Sequence, residues 1–131
     1  MTHPAIPAPF VYNATILTVH DGDTLTVRVD RGNRDYSEWD IRLLGCNAQE
    51  LAALGGVNAR DHLRELLPAG TRVVLQTVRP DKYGGRWLAR VWYPTTGGPV
   101  DLAQHLIDTG WAAAWDGKGA KPVPAWPRPV G

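Results

Sequence analysis

The sequence predicts an α+β fold, mainly β, in which five short strands close into a barrel and two helices pack on it. Five segments carry the composition or the two-residue period of strands, and helical segments follow the third and the fifth of them. The chain has 131 residues, which is the length of one domain. At that length roughly two thirds of the unfolded surface can be buried, so one core is possible.

The first three strands are predicted between residues 14 and 44. Residues 14–20 are rich in β-branched side chains, which favour strands. In residues 24–29, and in residues 39–44 apart from Leu44, apolar and polar side chains alternate, as they do in a strand with one buried face. If Ile41 faces the core, its neighbour Arg42 faces the other way.

Two helices and two strands complete the predicted domain. Residues 57–67 place leucines on one helical face, with two glycines before them and Pro-Ala-Gly after them. Residues 71–78 and 86–93 predict the fourth and fifth strands, with a glycine-ended loop between them. Residues 100–109 form an amphipathic helical pattern that ends at Gly110, a favoured C-terminal cap.

The order of these elements favours a five-stranded β-barrel of the OB type. The alternative is a fold with separate α and β layers and no closure. We assign residues 11–116 to this domain, residues 1–10 to a flexible N-terminal arm and residues 117–131 to an extended Pro-rich tail. The repeated prolines forbid a helix in the tail, which either lies on the domain through Trp126 or stays mobile.

Charge and composition restrict the partners and the compartment. The formal net charge is +1, so attraction to nucleic acid has to come from a local cluster of positive charge. Cys46 is the single cysteine, which excludes an internal disulfide and a cysteine metal cluster. The sequence shows no secretory signal and no membrane span, so we expect a cytoplasmic protein. We also expect a monomer.

The segment Asp-Gly-Asp-Thr, residues 21–24, stands between the first two strands and holds two acids. A solvated hairpin is the simpler interpretation, because Asp and Gly are common turn residues. The functional interpretation is a calcium site, because carboxylate oxygens are ligands of that cation. One of Asp21 and Asp23 can bind the ion directly while the other acts through water.

A second polar segment, residues 42–50, leaves the third strand and enters a loop. The side-chain carbonyl of Asn47 and the backbone of Ala48 can supply further oxygen ligands. Glu50 can orient and deprotonate a water molecule. Arg42 can hold a phosphate in a forked double hydrogen bond. A surface loop with ordinary charges is the alternative.

The third segment, residues 81–86, joins the last two strands of the barrel. Lys82 and Arg86 add positive charge, and Tyr83 can stack on a base or donate to a phosphate. A polar hairpin is the alternative interpretation of this segment alone. Taken together, the three segments supply a cation site, a base and two arginines, which is the set that phosphodiester hydrolysis requires.

The same three segments, in this order and at similar separations, resemble the staphylococcal nuclease (thermonuclease) family. Residues 101–112, DLAQHLIDTGWA, are similar to the second helix of that family and its following turn. The resemblance covers residues 11–115 and implies a five-stranded OB barrel with helices packed on it. It also implies a calcium-dependent endonuclease that hydrolyses DNA and RNA and leaves 3′-phosphate ends.

The resemblance implies a metal site with one departure from the family. Asp23 matches the Asp that binds the metal directly, and Asp21 matches the nearby acid. Asn47 stands where the family has a second carboxylate ligand. An amide keeps one oxygen but removes a full charge, so we expect one calcium ion to bind with weakened affinity.

The resemblance also implies catalytic and substrate-binding residues. Arg42 matches the first phosphate-binding arginine and Arg86 the second. Glu50 matches the residue assigned as general base. Tyr83 matches the tyrosine of the nucleotide pocket, and Lys82 lies beside it in the sequence.

Further departures concern the loops and the tail. Ala48 and Gln49 replace the family's Thr-Pro or Ala-Pro, so the loop before Glu50 loses a rigid φ angle. Gly85 is inserted before Arg86, and the Pro-rich tail replaces a long last helix.

Two other functions stay open beside the metal-dependent nuclease. One is a catalytically weak or inactive OB barrel that binds nucleic acid or protein, which Asn47 favours. Glu50 and Arg42 argue against it, because a binding module has little use for a carboxylate beside a phosphate. The other is a structural component of an assembly that docks through the tail.

Overall fold

The described part of the chain, residues 9–82 and 84–129, forms strands and two helices in the computed structural model. The strands are β1 (Val11–Asp21), β2 (Thr24–Asp30), β3 (Tyr36–Leu43), β4 (Cys46–Ala48), β5 (Arg72–Pro80), β6 (Arg86–Tyr93), β7 (Val100–Asp101) and β8 (Ala112–Ala114). The helices are α1 (Gly56–Leu66) and α2 (Leu102–Asp108). Neither of these two helices has the length and apolar composition needed to cross a membrane.

Pairing between β3 and β6 closes the barrel. Strand β1 pairs with β2 and β5, β2 with β3, and β5 with β6, all antiparallel. Strand β3 then pairs in parallel with β6, from Asp40 opposite Arg86 to Leu43 opposite Ala89. The predicted five-stranded barrel of the OB type is therefore confirmed, and the open layered alternative is wrong.

The core lies inside the barrel and under α1. Leu25, Val27 and Val29 alternate along β2 and have no exposed surface, as their two-residue period predicts. Helix α1 packs on β1 and buries Ala59 and Leu63. Full burial of a valine or leucine side chain contributes about 1.5–3 kcal/mol to the free energy of folding.

Helix α2 begins later than the sequence pattern predicts. Val100 and Asp101 pair with β6 as the short strand β7, so the helix starts at Leu102 and not at residue 100. Asp101 then caps the helix, because its side chain accepts a hydrogen bond from the Gln104 amide at 3.2 Å. Gly110, with φ of 79°, lies just after the C-terminal end, as predicted.

A second, two-stranded sheet was not predicted. Strand β4 pairs antiparallel with β8, with Asn47 opposite Ala113. The alanines of β8 favour helices by propensity, and only the partner strand makes this segment extended. The pairing brings residues 46–48 against the segment that follows α2.

The tail lies on the domain through Trp126, which decides between the two alternatives that the sequence left open. Its ring centroid is 6.2 Å from that of Trp111. The same ring covers Gly55, where an added Cβ would come within 2.5 Å of it. Arg128 continues the contact by donating to the Thr109 carbonyl at 2.8 Å.

Gly22 packs the turn between β1 and β2 against two other elements, and we predict that Gly22→Ala destabilises the fold. An added Cβ would lie 2.7 Å from the Ala48 Cβ and 2.9 Å from the Ala59 Cβ. Such overpacking costs about 1–3 kcal/mol. Urea unfolding of the variant measures this loss in free energy of unfolding.

Gly97→Ala is the matched control for this substitution. Neither Gly22 nor Gly97 has a positive φ, and a Cβ at Gly97 would meet only the Thr95 hydroxyl, at 3.8 Å. Equal stability of the two variants would contradict the close packing of the turn.

Candidate functional site

Segments that are far apart in the sequence meet at one polar cavity of about 150 Å³. The barrel pairing brings them together, because β3 lies between β2 and β6, with Arg42 opposite Thr24 and Asp40 opposite Arg86. We call this space the polar cavity. It is lined by Asp21, Asp23, Thr24, Arg42, Asn47, Ala48, Gln49, Glu50, Arg86 and Lys121.

Asp23 is the buried centre of this cavity. Its Oδ2 atom accepts from the Ala48 amide at 2.8 Å and forms an ion pair with Arg42 Nη1, also at 2.8 Å. Its Oδ1 atom accepts from the Thr24 hydroxyl at 3.1 Å. These contacts join the one carboxylate to β2, β3 and β4 at the same time.

Burial changes the acidity of Asp23. Loss of solvent raises the pKa of its carboxyl to about 6, the Arg42 guanidinium opposes that rise, and the Asp21 carboxylate adds to it. Asp23 is therefore ionised at neutral pH but close to its titration range. One of the two neighbouring carboxylates is removed from solvent, so a positive charge beside the pair would stabilise their ionised forms.

Asp21 has a structural function in the turn. Its Oδ1 atom accepts a hydrogen bond from the Asp23 amide at 3.0 Å. This Asx-type contact fixes the turn and brings the two carboxylates to one side of it. The solvated-turn interpretation explains Asp21 in part, but it does not explain the buried Asp23.

Asn47 connects Arg42 to the C-terminal tail. Its Oδ1 atom accepts from Arg42 Nη2 at 3.0 Å, and its Nδ2 atom donates to the Pro122 carbonyl at 2.9 Å. Both ends of the amide are therefore used, and the side chain is buried. A carboxylate at this position could accept from Arg42 but could not donate to Pro122.

Glu50 lies at the open rim of the polar cavity. Its side chain is 71% exposed, and its Oε1 atom is 3.8 Å from Lys121 Nζ. An ion pair this exposed has little energetic value. Glu50 is accordingly placed where water can reach it.

Arg86 also reaches the polar cavity, where it is held by Asp81. Its Nε and Nη2 atoms donate to Asp81 Oδ2 at 2.9 and 2.6 Å. Its side chain is one third exposed, at 33%, so a ligand in the cavity can contact it. Arg42, at 8% exposure, is largely buried but lines the cavity wall.

A second cavity of about 310 Å³ shares Arg42, Arg86 and Lys121 with the first. We call it the side cavity. Apolar side chains form part of its wall, and five cationic residues line it. The lining includes Leu43, Leu88 and Trp115, together with Arg42, Arg79, Lys82, Arg86 and Lys121. Predicted substrate residue Lys82 thus lies at this cavity, whereas Tyr83 lies outside the described residues.

Lys121 is a residue of the site that sequence reasoning missed, and Trp115, for which the sequence offered only a weak stacking role, lies beside it. The Trp115 ring lies 5.9 Å from the Arg42 guanidinium carbon and 5.9 Å from Lys121 Nζ, so it is in contact range of both cations. Neither residue belongs to a motif near the three predicted segments. The tail brings Lys121 there, and only the tertiary path of the tail could have revealed it.

The carboxylates of Asp21 and Asp23 line the polar cavity. Asp21 and Asp23 offer carboxylates on one turn, and calcium completes its shell with carbonyl and water oxygens in flexible geometry. Within residues 9–82 and 84–129, no group of three or more His, Cys, Asp or Glu side chains is placed to hold a metal ion.

Comparison with known proteins adds no identification. No protein-family model matches the sequence, and no curated protein is significantly similar to it. The resemblance to staphylococcal nuclease stays a prediction that depends on the three segments and their convergence.

Because the pKa of Asp23 is raised, ionisation of this carboxyl lowers the free energy of unfolding as pH rises. We predict that Asp23→Asn, which cannot ionise, lacks this loss. The folded protein holds this proton up to about pH 6, whereas the unfolded chain releases it near 3.8. The free energy of unfolding of the wild type should therefore fall by about 3 kcal/mol relative to that of the variant as pH rises through this range. Urea unfolding of both proteins between about pH 4 and pH 7 measures the difference, and a constant difference would contradict the assignment.

Proposed function

We propose that this protein is a divalent-cation-dependent nuclease, with calcium as the cation, that hydrolyses phosphodiester bonds of DNA or RNA and leaves 3′-phosphate ends. The observation that carries the proposal is the convergence of Asp23, Arg42, Glu50 and Arg86 on one polar cavity. A carboxylate pair, an accessible carboxylate and two guanidinium groups are the groups that this reaction requires.

Asp23 and Asp21 would hold the cation, with further oxygen from Asn47 and the backbone of Ala48. The bound cation would supply positive charge beside the scissile phosphate. Asn47 already accepts from Arg42, so its contribution to the cation is shared with a guanidinium. This sharing agrees with an expectation of weak calcium affinity.

Glu50 is the proposed general base. Its exposed carboxylate accepts a proton from the water that attacks phosphorus, and the bond from phosphorus to the 5′-oxygen breaks. The leaving 5′-oxygen takes a proton from solvent. Arg42 and Arg86 stabilise the negative charge that develops on the phosphoryl oxygens.

The side cavity is the proposed binding place for the nucleotide next to the scissile bond. Its apolar wall, with Trp115, suits a base, and its cations suit phosphate. Lys82, which lines the side cavity, belongs to the same substrate site in this proposal. Tyr83 is assigned to the substrate by the family resemblance alone. The net charge of +1 leaves recognition to this local cluster.

A non-catalytic barrel that binds nucleic acid is the second candidate. The observation that favours it is the engagement of both arginines by carboxylates, Arg42 with Asp23 and Arg86 with Asp81. In that protein a phosphate would bind to the side cavity without being cut. Digestion assays separate the two candidates.

We expect digestion of single-stranded DNA to require calcium and to depend on Glu50. Activity should rise with calcium and disappear with a chelator. Glu50→Gln should lower the turnover number on the order of 100-fold, because general-base catalysis contributes about that much. Gel or fluorescence assays of oligonucleotide cleavage measure both effects.

Glu38→Gln is the control, because Glu38 is an exposed residue of β3 outside the polar cavity. Cleavage that persists under chelation would refute the proposed mechanism. A Glu50→Gln variant as active as the control would remove Glu50 from its role.

Calcium affinity should fall below about pH 6. Protons compete with the cation for Asp23, whose pKa is raised to about 6 by burial. Titration calorimetry should therefore show affinity about tenfold lower at one pH unit below this value. Equal affinity at neutral and acidic pH would show that Asp23 does not bind the ion.

A further inference from the structure

We propose that the C-terminal tail is a strap that positions Glu50, by holding both ends of the loop that carries it. Gln49 is the positioning residue at one end, and Trp126 makes the contact at the other. The catalytic consequence of this inference rests on the proposed function, because it assumes that Glu50 is the base. The structural consequence, that the tail holds this loop in place, does not depend on the proposed function.

The first anchor is a pair of hydrogen bonds from β4 and the residue after it to tail carbonyls. Gln49 Nε2 donates to the Pro124 carbonyl at 2.5 Å, and Asn47 Nδ2 donates to the Pro122 carbonyl at 2.9 Å. Gln49 is only 7% exposed, although it is a polar residue directly before the exposed Glu50. Proline keeps the tail extended, so its carbonyls are available to side chains of the domain.

The second anchor is the contact between Trp126 and Gly55. Gly55 is the residue before α1, and a Cβ there would lie 2.5 Å from the Trp126 ring. A glycine at this position lets the ring lie directly on the backbone. The loop that starts at Gln49 is thus held by the tail again where it ends.

Contacts within the loop are local. The Ala53 amide donates to the Glu50 carbonyl at 2.9 Å, and the Gly56 amide donates to the Ala53 carbonyl at 3.0 Å. Residues 50–54 are exposed, with Leu54 at 82%. The two tail anchors therefore have a large influence on where the loop lies and on where Glu50 points.

A third contact fixes the position of the tail on the domain. Arg128 lies 4.5 Å from the Trp111 ring centroid and donates to the Thr109 carbonyl, at the end of α2. The tail thus joins the end of α2, the start of α1 and the end of β4. A general base has to lie within hydrogen-bond reach of its water, and a displacement of about 1 Å can cost roughly 100-fold in rate.

The test compares two isosteric substitutions in the full chain. Gln49→Met removes the donor to Pro124 and keeps the side-chain length. Gln104→Met is the control, because Gln104 Nε2 donates to Asp108 on the exposed face of α2 at 2.7 Å, and this hydrogen bond does not involve the tail. Trp126→Leu removes the ring that lies on Gly55, and its effect is followed by the same two measurements.

Hydrogen exchange of residues 50–56 and cleavage kinetics at saturating calcium are the two measurements. We expect Gln49→Met to speed exchange of the Ala53 and Gly56 amides about 5- to 10-fold, because a lost buried hydrogen bond loosens the loop. We expect the turnover number to fall roughly 10-fold with KM changed less than about 2-fold. Gln104→Met should change neither.

The outcomes separate the strap from the nuclease. Exchange in Gln49→Met equal to that in Gln104→Met overturns the strap. Faster exchange with an unchanged turnover number overturns the positioning of Glu50. If the wild type cuts nothing with calcium but Gln49→Met still loosens the loop, the strap is supported and the proposed function fails.

Discussion

The buried ion pair between Asp23 and Arg42 is the interaction on which the rest of the site depends. The two side chains are 9% and 8% exposed and their charged atoms are 2.8 Å apart. Leaving either charge alone in such a place costs about 3–5 kcal/mol. The pair forces the turn after β1 and the end of β3 to lie together, and the hydrogen bond from Ala48 to Asp23 adds β4 to them.

Arg42 extends this contact into a continuous polar chain. Its guanidinium bonds Asp23 on one side and Asn47 on the other, and Asn47 bonds the Pro122 carbonyl. Asn has both an acceptor and a donor, which this position between a cation and a carbonyl needs. This is a physical reason for an amide at position 47, where the nuclease family that the sequence is predicted to resemble has a carboxylate. The same choice removes one negative charge from the proposed cation site.

Positive charge around the cavities is local and is not a property of the whole protein. The chain has 14 basic and 13 acidic residues, yet the side cavity collects five cations. Arg42 and Arg86 are balanced by Asp23 and Asp81, and these ion pairs orient the two guanidinium groups. A phosphate would compete with those carboxylates for the same donors.

The barrel and the three candidate segments could be predicted from sequence, because strand period and turn chemistry are set by residues close together in the chain. The alternation in β2 and the placement of Asp21 and Asp23 on a turn are of this kind. The partner of Asp23 and the strand β4 could not be predicted, and the docking of Trp126 was left open, since each depends on a contact between distant segments. Gln49 and Pro124 are 75 positions apart. No local pattern marks such a pair, and only the packed barrel brings it together.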